Sequence, residues 1–485
     1  MIAGILLLAR LDNGVLWQDE AETALLARHT LRVGYPRASD GRSQIEVPPP
    51  YIHGPHDAWI YSPWVPFYLL AAVFAVAGES TAAARTTFAV FGLVSIYFTW
   101  RLARRLTPDR LVRRLSPALL TCSVPFLLHM RQCRYYALAT ALLMGVCLSY
   151  LALMKRPTAR RAVLLAIALG ALFHTSFGPC VPAFGALVIH QMGWGSASSR
   201  KSFAIAAMLV MALTIPWAVF SYRPAYVGTF SLVRAAAHLQ YYIRVTNKYV
   251  VPLAFMAVSS AVWLLAQRRK PAVTVPLPSG SIRWFLMLFV AAQVAFLLVP
   301  DQRHLRYLIP VVPLLVIGEA WWLASCWRQS HAIGALLIVL ALFTNALQSP
   351  RVRIPLVDLV GEMTHAYQGP MDGVIAYLHA HAKPGQTAKI PYDERTLLFY
   401  TDLTVEPPST FAQDSSPDWI IIRRDWIPPA FFTGGYFRRV ETAYERIDLD
   451  APDTQWQNRE DPGSHHFRTV QDAPRVVIYH RRRTS

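Results

Sequence analysis

Asp19 and Glu20 are adjacent carboxylates in the tetrad Trp17-Gln18-Asp19-Glu20, just past the first apolar segment of a chain with few other acids. A carboxylate there is suited to taking a proton from a hydroxyl, and charge beside hydrocarbon is costly enough to imply a function or a partner. Between residues 60 and 350 the only acids are Glu79, Asp109, Asp301 and Glu319. Against them stand Arg131, Arg134, His174, Arg303, His304 and Arg306, at the mouths of apolar segments. Arginine forks match phosphate oxygens bidentately. These residue types therefore suit a reaction in which one carboxylate acts as base and several arginines hold a phosphate.

Each group also has a structural reading. Asp19 with Glu22 fits a capping box for a helix from Glu20 to Arg32 that Gly34 and Pro36 would end. Arg131 and Arg134 beside Tyr135 and Tyr136, and likewise Arg303 and Arg306, fit interfacial anchors among lipid headgroups. His174 sits where a hydrogen-bonded helix-end histidine is common, while Trp59, Tyr61, Tyr135, Tyr241 and Tyr242 are stacking surfaces for a sugar or interfacial anchors. Asp57 with His53 and His56 would suit a divalent metal only as a loop trio without recognised ligand spacing. No resident cofactor is expected. Asp57, Tyr135 and His174 are retained as further candidates for substrate contact.

The elements that must position these groups are membrane helices. Of 485 residues 54% are hydrophobic and 16% charged, and the mean hydropathy is +0.30, more apolar than a soluble core requires. Apolar stretches recur at about 84–100, 116–130, 135–153, 162–176, 178–192, 203–220, 249–266, 283–299, 307–326 and 331–347. Residues 1–16, apolar from Ile2 to Leu8 and interrupted by Arg10 and Asp12, read as the remains of a first transmembrane helix and not as a cleaved signal, because no basic region precedes the apolar run. The formal charge of +18 does not indicate nucleic acid, because the basic residues lie in short runs between apolar segments. Five cysteines, odd in number and in or beside apolar segments, imply no disulfide framework.

Parity orients the chain. Basic clusters at Arg101 to Arg114, Lys155 to Arg161, Arg200 and Lys201, Arg268 to Lys270, and Arg328 follow every second apolar segment and should be cytoplasmic. The opposite face then receives the first loop (17–63), Arg131 and Arg134, His174, Arg303 and Arg306, and everything past about 349. Trp64 to Ala77 must be a juxtamembrane or re-entrant helix, since a full crossing would invert every later basic loop. Roughly eleven spans result. Residues 1–348 form the expected transmembrane domain and 349–485 a small α/β domain outside. In the latter, Met371 to His381 reads as a helix, and Asp418 to Ile422 and Arg475 to Tyr479 as buried strands. Pro48-Pro49-Pro50 should stiffen the first loop.

Several segments in register carry a resemblance: WQDEAETALLARHTLRVGYPRASDG, GESTAAARTTFAVFGLVSIYFTWRLARRL, MRQCRYYALATALLMGVCLSYLALMKR, LTIPWAVF and RHLRYLIPVVPLLVIGEAWWL. Together they resemble the bacterial branch of the GT-C glycosyltransferases, related to protein O-mannosyltransferases and the lipid A aminoarabinose transferase, over most of residues 15–325. LLFYTDLTVEP and PDWIIIRRDW are similar to the outer domains such enzymes often carry. The resemblance implies a polytopic helical protein of the bacterial cytoplasmic membrane, transferring a sugar from a polyprenyl phosphate to a glycan, lipid or protein acceptor on the outer face. It implies Asp19 as catalytic base with Glu20 beside it. Where many relatives have His-Pro-Pro or Lys-Pro-Pro, this chain has Tyr61-Ser62-Pro63-Trp64, so the polar contact made there is not carried by the same residues. An inverting displacement needs one carboxylate; a retaining one needs a second, for which Glu20 is the neighbour. Arg131, Arg134, Arg303 and Arg306 are the candidates for the donor phosphate.

Two rivals belong to other classes. A transporter or flippase would also need a polar cavity among helices, but such folds carry internal repeats and midplane ionisable residues, and no repeat stands out here. A membrane scaffold with a partner-binding outer domain is the other.

Overall fold

A computed structural model of the chain describes residues 1–485 except 48–50, 222–229, 267–279, 434, 456–460 and 483–485. The expected stiff triplet Pro48-Pro49-Pro50 and the basic cluster Arg268, Arg269 and Lys270 lie outside the described residues. In chain order the helices begin with α1 (Ile2–Leu8), α2 (Gln18–Val33), α3 (Val65–Ala77) and α4 (Thr81–Leu106). Next come α5 (Arg110–Cys122), α6 (Val124–Met130), α7 (Tyr136–Lys155), α8 (Ala159–Thr175), α9 (Phe177–Trp194) and α10 (Ala197–Ser221). Then follow α11 (Leu232–Val245), α12 (Leu253–Ala266), α13 (Gly280–Phe296), α14 (Val312–Gln329) and α15 (His331–Phe343). The remainder alternates: α16 (Pro355–Thr364), α17 (Pro370–His381), β1 (Thr387–Lys389), α18 (Glu394–Tyr400), β2 (Thr404–Val405), β3 (Trp419–Ile422), α19 (Pro429–Thr433), α20 (Gly435–Ala443), β4 (Tyr444–Pro452) and β5 (Arg475–Arg481).

The chain divides into two compact units, and not at residue 349. One comprises Met1–Ala9, Phe88–Leu359 and Glu460–Pro462; the other comprises Arg10–Thr87, Val360–Arg459 and Gly463–Ser485. The first loop, read from the sequence as part of the transmembrane domain, thus belongs to the same unit as the carboxyl-terminal segment.

Among the described residues, four helices are long and apolar enough to cross a membrane, Thr81–Leu106, Tyr136–Lys155, Ala197–Ser221 and Leu305–Gln329, and up to six if two bent pairs each count as one span. The expected span at 116–130 is such a pair, α5 and α6, bent by 64°. It breaks at Ser123, where Pro125 follows close behind and a ring without an N–H favours a kink. Part of the difference from about eleven comes from length: α13 has 17 residues and α15 has 13, and at 1.5 Å per residue about 25 Å and about 20 Å fall short of a ~30 Å hydrocarbon core. The α7 to α10 helices, α13 and α14 close around one core that includes Tyr150, Leu169, Leu187, Phe203, Phe289 and Ile317. Inside it the Tyr150 hydroxyl meets His190 Nδ1 at 2.6 Å, and His190 Nε2 meets the Ser281 carbonyl at 2.8 Å. Outward, Val163, Leu164 and Ile167 of α8 and Met208, Met211 and Ile215 of α10 are exposed, an apolar surface of the kind that lipid covers.

The second unit is built on a five-stranded sheet of order β2-β1-β3-β5-β4. β1 runs parallel to β2 and β3, while β5 lies antiparallel between β3 and β4, pairing Ile421 with Ile478 and Ile447 with Ile478. One face packs Trp419, Ile421, Val476 and Ile478 against Val374, Ile375 and Leu378 of α17. The other packs Ile420 and Tyr479 against Phe411, Phe431, Tyr436 and Val440. Burial on both faces is why β3 reads as an unbroken apolar run and not as an alternation. The expected helix and both expected strands are present, α17 beginning one residue earlier.

Candidate functional site

Asp19 lies in the first turn of α2. The expected box of Asp19 with Glu22 is not the one formed. Trp17 is the N-cap, and its N–H donates to Glu20 Oε2 at 3.3 Å, so Glu20 occupies the closing position. Two acids in the first turn complement the positive end of the helix dipole. At the other end Gly34 takes φ +85° and returns its N–H to the Thr30 carbonyl, a left-handed cap that a side chain would strain.

Glu20 is fully buried and forms a two-pronged ion pair with Arg85, Nε to Oε1 at 3.0 Å and Nη2 to Oε2 at 2.8 Å. The same guanidinium donates to the carbonyls of Leu11, Asn13, Gly14 and Val15 at 2.9–3.2 Å. Arg85 therefore fixes the approach to α2, and Glu20 satisfies its charge. Sequence reasoning missed Arg85, although an arginine among the apolar residues of α4 is itself a signal that a partner exists.

The carboxyl-terminal segment grips the same turn. Gln18 donates Nε2 to Glu394 Oε2 at 2.6 Å and accepts from the Arg395 N–H at 3.3 Å. Arg395 pairs with Glu22, lies 3.2 Å from Glu394, and donates to the Glu46 carbonyl at 2.9 Å. Thr396 donates to the Leu16 carbonyl at 3.0 Å, the Leu16 N–H donates to the Tyr400 hydroxyl at 2.9 Å, and Val15 N–H donates to Asp372 at 2.8 Å. Burial raises the Glu394 carboxyl above its ordinary range, partly opposed by Arg395 and Gln18. Burial also lifts the Tyr392 phenol, and Asp19 and Glu394 add to that, which places Tyr392 within electrostatic reach of Asp19. Tyr392 stacks on Trp426, ring centroids 4.1 Å apart. Behind it the fully buried Arg423 pairs with Asp393 and, at 3.0 Å, with Asp453. Nothing in the local sequence marks Tyr392, Glu394, Arg395 or Arg423, whose partners are distant in the chain.

Other acids of the first loop and the helix ends have partners of their own. Glu22 pairs with Arg395, and Glu79 with Arg28 at 2.5 Å. Asp57 lies 3.5 Å from Arg37 and accepts from Gln44. Asp40 accepts the N–H groups of Arg42 and Ser43, Glu46 accepts from Ser409, and Asp301 pairs with Arg234. Asp19 is half-buried. The metal trio does not assemble. His53 contacts the Ile45 carbonyl and Gln44, and among the described residues no three His, Cys, Asp or Glu side chains converge as a metal would require. In the departed proline motif Ser62 accepts from Trp59 Nε1 at 2.8 Å.

In the helical unit, Arg134 lies over the Tyr135 ring at 5.5 Å and Arg306 over Tyr307 at 5.6 Å. Tyr135 is within electrostatic reach of both Arg134 and Arg306, so residues 172 positions apart share one neighbourhood. Arg131 closes α6 and donates to the Leu6 carbonyl at 2.9 Å. Arg303 is exposed, reaches the Ala237 carbonyl at 3.3 Å and lies over Tyr241 at 5.4 Å. His174 contacts the Leu213 carbonyl at 2.9 Å and packs edge-on against Phe173 and Trp217, which serves α8 and α10.

Residues 61–220 match the family described as dolichyl-phosphate-mannose-protein mannosyltransferase. No curated protein sequence matches. Among solved structures, ArnT from Cupriavidus metallidurans bound to undecaprenyl phosphate is similar with a TM-score of 0.59 at 13% identity, over 99% of this chain and 96% of that one. Its apo state gives 0.59 at 12% identity over the same shares. A mutant of the arabinofuranosyltransferase AftD from Mycobacteria gives 0.50 at 14% identity, over 99% of this chain and 41% of that one.

Proposed function

We propose that this chain, which has the GT-C glycosyltransferase fold, moves a hexosyl or pentosyl group from a polyprenyl-phosphate-linked donor to an acceptor hydroxyl. The observation that carries the assignment of the base is the first turn of α2, where the residues on either side of Asp19 are anchored, Glu20 by its buried pair with Arg85 and Gln18 by its hydrogen bond to Glu394. Anchored neighbours fix the backbone that carries the Asp19 carboxylate, and a base on a fixed backbone favours proton transfer. The family match and the ArnT structure, which contains undecaprenyl phosphate, support the donor class.

In this reading the acceptor oxygen attacks the anomeric carbon and its proton passes to Asp19. The bond from that carbon to the phosphate oxygen breaks with its electrons going to the phosphate. Arg131, Arg134, Arg303 and Arg306 neutralise the charge that develops there. Glu20 positions and does not react, so one carboxylate suffices and the displacement inverts the anomeric centre. The setting is the bacterial cytoplasmic membrane, with the acceptor on its outer face. Asp57 and Tyr135 remain candidates for substrate contact.

The test is release of polyprenyl phosphate by purified protein in liposomes that contain a labelled extract of polyprenyl-phosphate sugars and envelope acceptors. Asp19→Asn should lower release by about 100-fold or more with an unchanged melting temperature. Release at the wild-type rate would eliminate Asp19 as the base. Movement of intact donor between leaflets, without release, would favour a flippase instead.

A further inference from the structure

On the helical unit lies a basic cavity that the proposed reaction does not use. It has a volume of about 780 Å³ and is lined by Arg110 and Arg114 of α5, Trp327 and Arg328 of α14, His331 of α15, and Asp109. Its single acid is already engaged: Asp109 Oδ1 accepts the Val112 N–H at 2.9 Å and Oδ2 pairs with Arg328. Arg110 and Arg114 stand four residues apart, so they share one helix face and repel each other. Neither guanidinium meets a protein acceptor among the described residues. Trp327 lies edge-on to His331, ring centroids 5.0 Å apart, an aromatic and basic pairing suited to the membrane boundary.

Two features argue for a position of this cavity at headgroup depth. Two of the helices long and apolar enough to cross a membrane end beside it, at Leu106 and Gln329. The same α14 also lines an apolar groove of about 580 Å³, with Leu314, Ile317 and Trp321 facing Leu286, Met287 and Val290 of α13. Leu314, Trp321 and Arg328 recur every seven residues and so lie on one stripe of α14. Six residues from Trp321 to Trp327 advance about 9 Å along the helix.

We propose that this cavity and groove bind one acidic membrane phospholipid, its phosphate between Arg110, Arg114 and His331 and an acyl chain along α14. The proposal does not depend on the reaction proposed above. An anion there relieves the Arg110–Arg114 repulsion, and the paired arginines make it selective for acidic over zwitterionic headgroups.

The experiment is native mass spectrometry of delipidated full-length protein in detergent, titrated with phosphatidylglycerol or phosphatidylcholine. Phosphatidylglycerol should bind at least about tenfold more tightly, and R110Q/R114Q should weaken it about thirtyfold. K155Q/R156Q removes equal charge from exposed residues elsewhere and should leave binding unchanged. Both double variants should melt at the wild-type temperature when delipidated, as exposed positions predict. Millimolar inorganic phosphate should leave the lipid bound; displacement by phosphate would assign the site to the free ion and refute the lipid. Equal affinity for the two lipids, or unaltered phosphatidylglycerol binding by R110Q/R114Q, would overturn the proposal.

Discussion

Replacing Arg85 by methionine tests the architecture of the first turn of α2 most directly. The Arg85 and Glu20 side chains are 7% and 0% exposed, so removing the guanidinium strands a carboxylate with no access to water. Breaking one partner of such a buried pair costs about 3–5 kcal/mol. Four carbonyls, of Leu11, Asn13, Gly14 and Val15, lose a charged donor at the same time, and this puts the loss toward the upper end of that range. Glu20→Gln alone should be milder, since Arg85 keeps the four carbonyls. The double variant should be more stable than the sum of the single losses predicts, by about 1–3 kcal/mol, because it strands no charge. Urea unfolding of purified protein in mild detergent, followed by circular dichroism, measures these differences. Limited proteolysis of residues 10–33 should accelerate in Arg85→Met, and transfer should fall with it because Asp19 loses its support. Wild-type stability for Arg85→Met, or strict additivity in the double variant, would refute the reasoning.

Three further outcomes follow from the same unit. Burial raises the Glu394 carboxyl, so the folded state holds that proton more tightly than the unfolded chain does. Its contribution to stability is complete below the ordinary value of about 4.3 and is lost as pH rises through the raised one. Wild type should therefore gain stability relative to Glu394→Gln as pH falls from about 7 to about 5, and a melting-temperature difference independent of pH would contradict this. Gly373→Ala puts a Cβ against the Ala451 methyl where α17 crosses β4 and should cost about 1–3 kcal/mol, read by urea unfolding. Tyr400→Phe leaves the Leu16 N–H without its acceptor and Thr81 without its 2.5 Å partner; the expected loss is about 1–3 kcal/mol, and a smaller loss would mean the loop re-pairs.

Many of the helices were legible because apolar runs and helix punctuation are local. The ends of α3, α7 and α14 lie within a few residues of the apolar stretches that announce them, and Gly34 marks the end of α2. Parity could not supply helix length or bending, which depend on breaks such as the one at Ser123. In the second unit, α17, β3 and β5 were visible as patterns, whereas β1 and β2, with three and two residues, are too short to carry one.

For the site, the sequence alone determined that acids are scarce, that Asp19 and Glu20 sit together past the first apolar segment, and that arginines cluster at helix mouths. Composition and spacing are enough for that, since they fix which groups exist and in what order. Only the tertiary structure separated the two neighbours: Glu20 turns into a buried pair with Arg85, 65 residues on, while Asp19 sits in a turn gripped by Gln18 and Glu394, 376 residues apart. Partner choice over such separations is set by packing and the cost of burying charge, which no local pattern in the chain encodes.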